Sequence, residues 1–396
     1  MKKMLFLAIV LAGVMLYSCQ KEEIPEMEDQ TSPGLVTFSS QVIEGKFIVL
    51  FEDEGLLKSA SSGNEAGPEA VLQTTRDIFA LMKMPAREPE QVYSSALRGI
   101  AVAMTNSEAM KMAGAPGVKG VYPDMWVTLG LPTAQAKPAP QPPVATKPWG
   151  ITRVGGGVNY TGTNKAWIID TGIDLDHPDL NVNSTLSKSF VPRIATAEDD
   201  NGHGTHCAGI VAAKDDGKGV IGVAAGAQVV AVKVLDRRGS GAYSVIIAGI
   251  DYVFSKAVSG DVVNMSLGGP ASDALDDVIL TLAGKGVKIA LAAGNESQDA
   301  NKVSPARVNH ANVYTISAMG TGDIWASFSN YGNPPVDYCE PGVNIYSTYK
   351  GGGYFTMSGT SMAAPHMCGL LLLGAIKTVG TVIGDPDDNA DSIGVH

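Results

Sequence analysis

The chain has 396 residues, 45% of them apolar and 17% charged, a balance that excludes a wholly disordered polypeptide. It is long enough for two domains, one of them with a sizeable core. A net charge of −11 without any basic patch argues against nucleic acid as a partner, and 46 glycines predict many tight turns and close backbone approaches. At the start, "MKK" precedes "MLFLAIVLAGVMLY", an apolar run too short for a comfortable membrane span, so the segment reads as a secretory signal.

The run stops at "LYSC", and residues 1–19 resemble a bacterial lipoprotein signal with Cys19 as the lipidated residue. The following "QKEE" resembles the acidic signal that directs some Gram-negative lipoproteins to the outer cell surface. The resemblance implies an exported outer-membrane or surface protein that is anchored to a membrane without spanning it. The alternative is an ordinary signal peptide with an incidental thiol. Cys207, Cys339 and Cys368 remain, enough for one disulfide at most, and no CxxC pair suggests structural zinc.

Residues 20–44 are polar and aperiodic at first and read as a flexible tether. "GKFIVLFE" (45–52) reads as strand, "AVLQTTRDIFALMKM" (70–84) as an amphipathic helix, and "YSSALRGIAVAMT" (93–105) as strand. "NSEAMKMAGA" (106–115) follows as a short, polar-capped helix, and "VKGVYPDMWVTL" (118–129) as strand. Residues 45–130 thus form a small α+β unit. The proline-rich stretch 131–148 reads as an extended, exposed linker open to proteases.

Residues 149–396 change character. "KAWIID" (165–170), "AQVVAVKVL" (227–235), "DVVNMSL" (261–267), "VKIALAAG" (287–294) and "VYTISAM" (313–319) are short apolar runs of the kind that form strands buried on both faces. Helical stretches at 202–213, 242–257 and 271–286 lie between them. The alternation predicts an α/β fold with a doubly wound, mostly parallel sheet.

Chemistry in such sheets sits beyond the carboxyl ends of the strands. Asp170, Ser266 and Asn295 fall there, and His203 and Ser361 each open a helix. Ser, His and Asp are the parts of a nucleophilic triad: attacking oxygen, proton carrier, and the group that fixes the imidazole. An Asn amide supplies what an oxyanion needs. Singly, each residue also has a plainer reading. A strand-terminal Asp caps turns, His203 and His206 with Cys207 suggest an incomplete soft-metal cluster, and Ser361 suits a helix N-cap.

"AWIIDTGIDLDHPDL", "NGHGTHCAGIVAA", "AAGN" and "GTSMAAPHMCG", in that order, with "VLDRRGSGAYSVIIAGIDY" and "NMSLGG" between them, resemble the subtilisin-like serine proteases over residues 149 to about 378. The resemblance implies Asp170 as triad carboxylate, His203 as general base, Ser361 as nucleophile and Asn295 as oxyanion donor. It also implies that Ser240, Gly241 and Ala242, with Ser266, Leu267, Gly268 and Gly269, form two edges that sandwich an extended peptide. Leu267, Gly269, Ala292, Ala293 and Gly294 would line the primary pocket, and Tyr243 and Ile246 a further one. Such walls imply broad specificity with a preference for large apolar residues before the cut bond, although Glu296 near the pocket offers a partner for a basic one.

By the same resemblance the loop "KDDGKGVIG" (214–222) is a structural Ca²⁺ site. Asp179 and Asp216 would give side-chain oxygens, and Lys214, Lys218 and Val220 carbonyls, although both lysines depart from the apolar residues usual there. Residues 45–130 resemble an inhibitory propeptide that leads the linker 131–148 through the active site for self-cleavage and parts the enzyme from its anchor. The implied partners are protein or peptide substrates and the chain's own propeptide, with membrane contact only through lipid, and the enzyme is expected as a monomer. Cys207, one turn past His203, reads as a buried thiol open to mercurials, and Met362, beside Ser361, as a target for peroxide. The competing functions are an inactive peptide-binding scaffold on the same fold and an adhesion lipoprotein.

Overall fold

The computed structural model describes residues 35–52, 67–130, 139–142 and 144–396. The expected signal, Cys19, most of the tether and the first part of the linker lie outside the described residues.

The N-terminal unit runs β1 (Thr37–Phe51), α1 (Pro68–Leu81), β2 (Gln91–Tyr93), β3 (Gly99–Ala103), α2 (Asn106–Ala113) and β4 (Val118–Gly130). Helix α2 begins as the sequence predicts: Thr105 and Glu108 satisfy each other's backbone N–H in a capping box. Val71, Ile78 and Phe79 of α1 and Met112 of α2 pack on Val49, Ile100 and Val102 of the sheet. Two expectations change here. Residues 37–44 belong to β1, because Thr37–Val42 pair antiparallel with Gly130–Met125, so the tether cannot extend to 44. The strand expected over 93–105 is two strands parted by a turn, because Asp251 of the other unit draws in the N–H groups of Ser94, Ser95 and Ala96 at 3.2, 2.9 and 2.6 Å.

The larger unit continues with β5 (Ala166–Asp170), α3 (His203–Ala212), β6 (Gln228–Lys233), β7 (Ser240–Ala242), α4 (Tyr243–Lys256), β8 (Val262–Met265), α5 (Asp273–Gly284), β9 (Lys288–Ala292) and β10 (Val313–Met319). It ends with β11 (Val336–Pro341), the hairpin β12 (Ile345–Tyr349) and β13 (Gly353–Met357), α6 (Thr360–Leu373), and β14 (Lys377–Thr381) with β15 (Ser392–Val395). The order across the main sheet is β14-β15-β11-β10-β9-β8-β5-β6, with short strands at Asn181–Val182 and Lys188–Ser189 completing ten. Pairs from β11 to β6 are parallel, and only the β14–β15 pair is antiparallel. β5 and β8 are buried along their whole length, as continuous apolar runs predict for strands covered on both faces. The strands β11 to β15 escaped the sequence reading. Their short, Gly- and Tyr-rich segments carry no apolar run.

The linker is less free than its prolines suggest. Ala139 exchanges backbone hydrogen bonds with Tyr354, and the Ala145 and Thr146 N–H groups donate to the carbonyls of Gly217 and Gly219.

Candidate active site

Asp170 ends β5, His203 opens α3, Asn295 lies just past β9 and Ser361 is the second residue of α6. Parallel strands bring these carboxyl ends to one edge of the sheet, and all four side chains are buried. The His203 Nδ1–H donates to Asp170, 2.8 Å from Oδ1 and 2.9 Å from Oδ2. Nε2 has no partner among the described residues, as a proton acceptor awaiting a nucleophile requires. The Asp170–His203 pair depends on close approach of α3 to β5. A Cβ on Gly204 would lie 2.1 Å from the Gly172 carbonyl oxygen and 3.1 Å from Asp170 Cβ, so only glycine fits.

Asp199 starts α3. Its Oδ1 accepts from the Asn201 and Gly202 N–H groups and the Thr171 hydroxyl, and its Oδ2 from the Thr205 N–H and hydroxyl at 3.0 and 2.6 Å. Burial pushes its carboxyl up, against the downward pull of those donors. The sequence reading missed this residue, although an acidic side chain just ahead of a helix is a start signal.

Ser361 Oγ donates to the Ser266 carbonyl at 3.2 Å instead of to His203. Four residues on, Pro365 has no N–H to return to the Ser361 carbonyl. That carbonyl accepts from Ser266 Oγ at 2.7 Å and Cys207 Sγ at 3.4 Å instead. Ser266 and Cys207 are therefore tied to the backbone of Ser361 itself. Burial pushes the Cys207 thiol well up, with the Asp170 charge adding to it, so it stays protonated.

Asn295 Oδ1 accepts the Thr360 N–H at 2.8 Å and the Thr360 hydroxyl at 2.9 Å, which turns Nδ2 into the cleft with no partner among the described residues. Gly359, at φ +148°, keeps the space in front of it open. A Cβ there would stand 3.5 Å from Asn295 Nδ2 and 3.7 Å from the Ser361 nitrogen. An oxyanion between those two donors has room only over a glycine.

Asp170, His203 and Cys207 bring potential ligand atoms within 4.8 Å of one another, but His206 of the suggested metal cluster turns away. Its Nε2 donates to the carbonyls of Ile345 and Phe355, both at 3.1 Å. Burial, with His203 next, pushes its pKa down to about 3.

Strand β7 is occupied. Ser240, Gly241 and Ala242 pair antiparallel with Thr128, Val127 and Trp126 of β4, making an extended peptide of the N-terminal unit the neighbour of this edge. Val127 is fully buried, and its Cγ2 lies 3.1 Å from where a Gly269 Cβ would stand, beside the Tyr243 hydroxyl. Tyr243, Ile246, Leu267, Ala292 and Ala293 are all buried, and the Tyr243 hydroxyl donates to the Pro270 carbonyl at 2.7 Å. Gly268, Gly269, Glu296, Gln298 and Lys302 line a cavity of about 290 Å³ that Ser39 and Ser40 of β1 cover from the other side. Glu296 is held by Asn330, whose Nδ2 donates to its carboxylate at 2.7 Å and to the Ala293 carbonyl at 2.9 Å; no motif or periodicity marks Asn330. Further in, the Val36 N–H donates to the Ser358 carbonyl at 2.9 Å, and Val36 Cβ lies 3.4 Å from the Gly359 Cβ position.

Asp179 and the loop 214–222 also meet. Asp179 Oδ2 accepts from the Val220 N–H at 2.8 Å and the Tyr354 hydroxyl at 3.1 Å, while its buried Oδ1 has no partner among the described residues. Burial raises its carboxyl to about 6, and nearby Asp216 adds to the rise. Cys368 and Met362 are fully buried on α6, and Cys207, Cys339 and Cys368 are all free thiols.

Residues 167–375 match the Subtilase family. The chain is 35% identical over 363 residues to the alkaline serine protease ver112 of Corniculantispora psalliotae, covering 87% of this chain and 84% of that one. It is 34% identical over 380 residues to an extracellular serine proteinase of Thermus sp. (strain Rt41A), covering 92% and 88%. The crystal structure of a cold adapted subtilisin-like serine proteinase superposes with a TM-score of 0.52 at 38% identity, covering 57% of this chain and 83% of the other. The chain belongs to the subtilase family and is a serine endopeptidase.

Proposed function

We propose that the chain is the zymogen of an exported endopeptidase in which Ser361 is the nucleophile, His203 the general base, Asp170 its orienting carboxylate and Asn295 the oxyanion donor. Rotation about the Ser361 Cα–Cβ bond carries Oγ from the Ser266 carbonyl to His203 Nε2. Oγ attacks the scissile carbonyl carbon as Nε2 takes the hydroxyl proton. The carbonyl oxygen, now negative, is held by Asn295 Nδ2 and the Ser361 N–H. Nε2 passes the proton to the leaving amine, the acyl–enzyme forms, and water repeats the sequence to release the acid. The observation that carries this reading is the unpartnered, buried Asn295 amide beside the Ser361 nitrogen, a donor left free where charge would develop.

Residues 45–130 act as inhibitor, with β4 mimicking substrate along β7. The pairing of Thr128, Val127 and Trp126 with Ser240, Gly241 and Ala242 supports this, as does Val127 seated by Tyr243 and Gly269. An apolar residue in that place supports an apolar preference. Self-cleavage within 131–148 releases the enzyme, and lipidation at Cys19 anchors the precursor to the outer membrane or cell surface.

Structural Ca²⁺ at the 214–222 loop fits the residues present. Asp179 offers an unpartnered buried oxygen, and the carbonyls of Lys214, Lys218 and Val220 accept no backbone N–H among the described residues. With Asp216, these are the hard oxygens the ion takes, and bound there it would neutralise the buried Asp179 carboxylate.

A fluorophosphonate probe and mass spectrometry of the mature N-terminus test the reading together. The wild type labels on Ser361 and starts within 131–148, whereas Ser361→Ala neither labels nor self-processes. Equal casein hydrolysis by both proteins, or by neither after the N-terminal unit is removed, rejects it.

A further inference from the structure

We propose that the loop from Asp385 to Asp391 is a second calcium-binding site, built from the hairpin that closes the end of the main sheet. In "DPDDNAD", oxygen-bearing side chains recur at every second position, Asp385, Asp387, Asn389 and Asp391, the alternation by which short loops wrap a hard cation. The loop curls around the Asp385 carboxyl. Asp385 Oδ1 accepts the Asp387 N–H at 3.4 Å and Oδ2 the Asp391 N–H at 3.0 Å, while Asp387 Oδ1 accepts the Asn389 N–H at 3.0 Å.

An acidic turn alone would be a solvated loop. The distinguishing observation is Asp391, only 1% exposed at the inner wall. Its Oδ2 accepts from the Ser317 hydroxyl, but its Oδ1 is buried with no partner among the described residues. Asn333 Oδ1, also buried, lacks a partner too, although the Asn333 Nδ2 donates to the Asn389 carbonyl at 3.2 Å. Leaving a buried carboxylate oxygen unpaired is costly, and no basic side chain offsets it: among the described residues, none of the ion pairs involves Asp385, Asp387 or Asp391. Burial raises the Asp391 carboxyl to about 6, against the downward pull of the Ser317 and Asn333 side chains, and the charges of Asp385 and Asp387 add to the rise. A divalent cation removes both the repulsion and the vacancy at Oδ1. An all-oxygen donor set selects calcium over zinc or copper.

The three carboxyls do not all lie within 4.8 Å of one another, so binding draws the half-buried Asp387 inward. The loop joins β14 to β15, whose ends pair Thr381 with Ser392, and the Val382 N–H donates to the Asp391 carbonyl at 3.0 Å. Trp325 packs in the same small core as Val382, Cys339 and Ile393. Calcium here would pin the last hairpin to β10 and β11.

The test uses the full chain as Ser361→Ala, which cannot digest itself, stripped with a chelator. Calcium is counted by titration calorimetry, and terbium emission is excited through tryptophan, with Trp325 as the nearby sensitiser. Asp387→Asn and Asn389→Ala, both at the loop surface, should each weaken one calcium equivalent by roughly tenfold or more, since each removes or neutralises a ligand. Both should lower the terbium signal while leaving the equivalent lost in Asp179→Asn untouched. Asp179→Asn should keep the Trp-sensitised emission. Unchanged calcium stoichiometry and terbium emission in both loop variants, with folding verified by near-ultraviolet circular dichroism, would overturn the site. Failure of the Asp179 site alone would leave it standing.

Discussion

Thr360 sets the Asn295 amide. Its N–H and hydroxyl both bond Asn295 Oδ1, and the same hydroxyl accepts the Gly294 N–H at 3.1 Å. Asn295 Nδ2 is thereby aimed by the residue that directly precedes the nucleophile. Thr360→Val should keep the fold and the KM for a peptide substrate while lowering kcat by about tenfold. Asn295→Ala should lose about 10²–10³ in kcat, as expected when one oxyanion donor is removed. A fall in KM-dependent binding with kcat intact in Thr360→Val would contradict the positioning role.

Asp124 of β4 ties the N-terminal unit to α4. Its Oδ1 accepts the Ser244 N–H at 3.0 Å and its Oδ2 the Ser244 hydroxyl at 2.5 Å, so a side chain from one unit caps a helix of the other. Asp124→Asn should loosen the N-terminal unit by about 1–3 kcal/mol, as expected for a buried charged acceptor made neutral. The lag between linker cleavage and full activity should shorten several-fold. The check is casein hydrolysis followed against cleavage on a gel; an unchanged lag would show that Asp124 plays no part in retention.

His206 makes the enzyme acid-sensitive. Its pKa is about 3 in the folded chain and ordinarily near 6.5, so between those values the unfolded chain binds more protons. Stability is present above pH ~6.5 and is lost as pH falls toward 3. His366, pushed down to about 4 by burial, acts in the same direction. Asp179, Asp337 and Asp391, each raised to about 6 by burial, act oppositely between pH ~3.8 and 6 and offset the slope. In urea midpoints from pH 7 to 4, His206→Gln in the Ser361→Ala background should lose less stability toward pH 4 than Ser361→Ala itself, even though it lowers the midpoint at pH 7. Parallel profiles for the two proteins would remove His206 from the account.

Chelation should lower Tm by several degrees, mostly through Asp179. Because burial raises that carboxyl to about 6, calcium protection should fade as the pH drops below 6. Thermal melts with and without chelator at pH 5 and pH 8 measure this, and an equal effect at both values would speak against Asp179 as a ligand.

Much of this was legible in sequence because buried parallel strands are continuous apolar runs whose ends can be read. Asp170 after "WII" and Asn295 after "ALAAG" declare themselves that way. Asp199, Thr360 and Asn330 did not, because each acts by holding a neighbour through hydrogen bonds that no periodicity encodes. The N-terminal part of β1 was misread as tether for a related reason. Ser39, Ser40 and Gln41 give "TFSSQV" a polar, exposed centre, and only its partner, Met125–Gly130 of β4, makes it a strand. The Ser94–Arg98 turn likewise depends on Asp251, which is far away in the chain.

That early stretch of β1 also bears on timing. Val36 reaches the Gly359 side of the cleft, and Ser39 and Ser40 lie over the cavity beside Gly269, while β4 holds the opposite edge. The N-terminal unit therefore holds the larger one through two chain segments, the start of β1 and the end of β4, that lie side by side as paired strands. A single scission in the linker severs only the covalent continuity after β4. Under the zymogen reading proposed above, both segments would have to withdraw together, so the first turnover would be a matter of domain escape and activation a delay that temperature and dilution control.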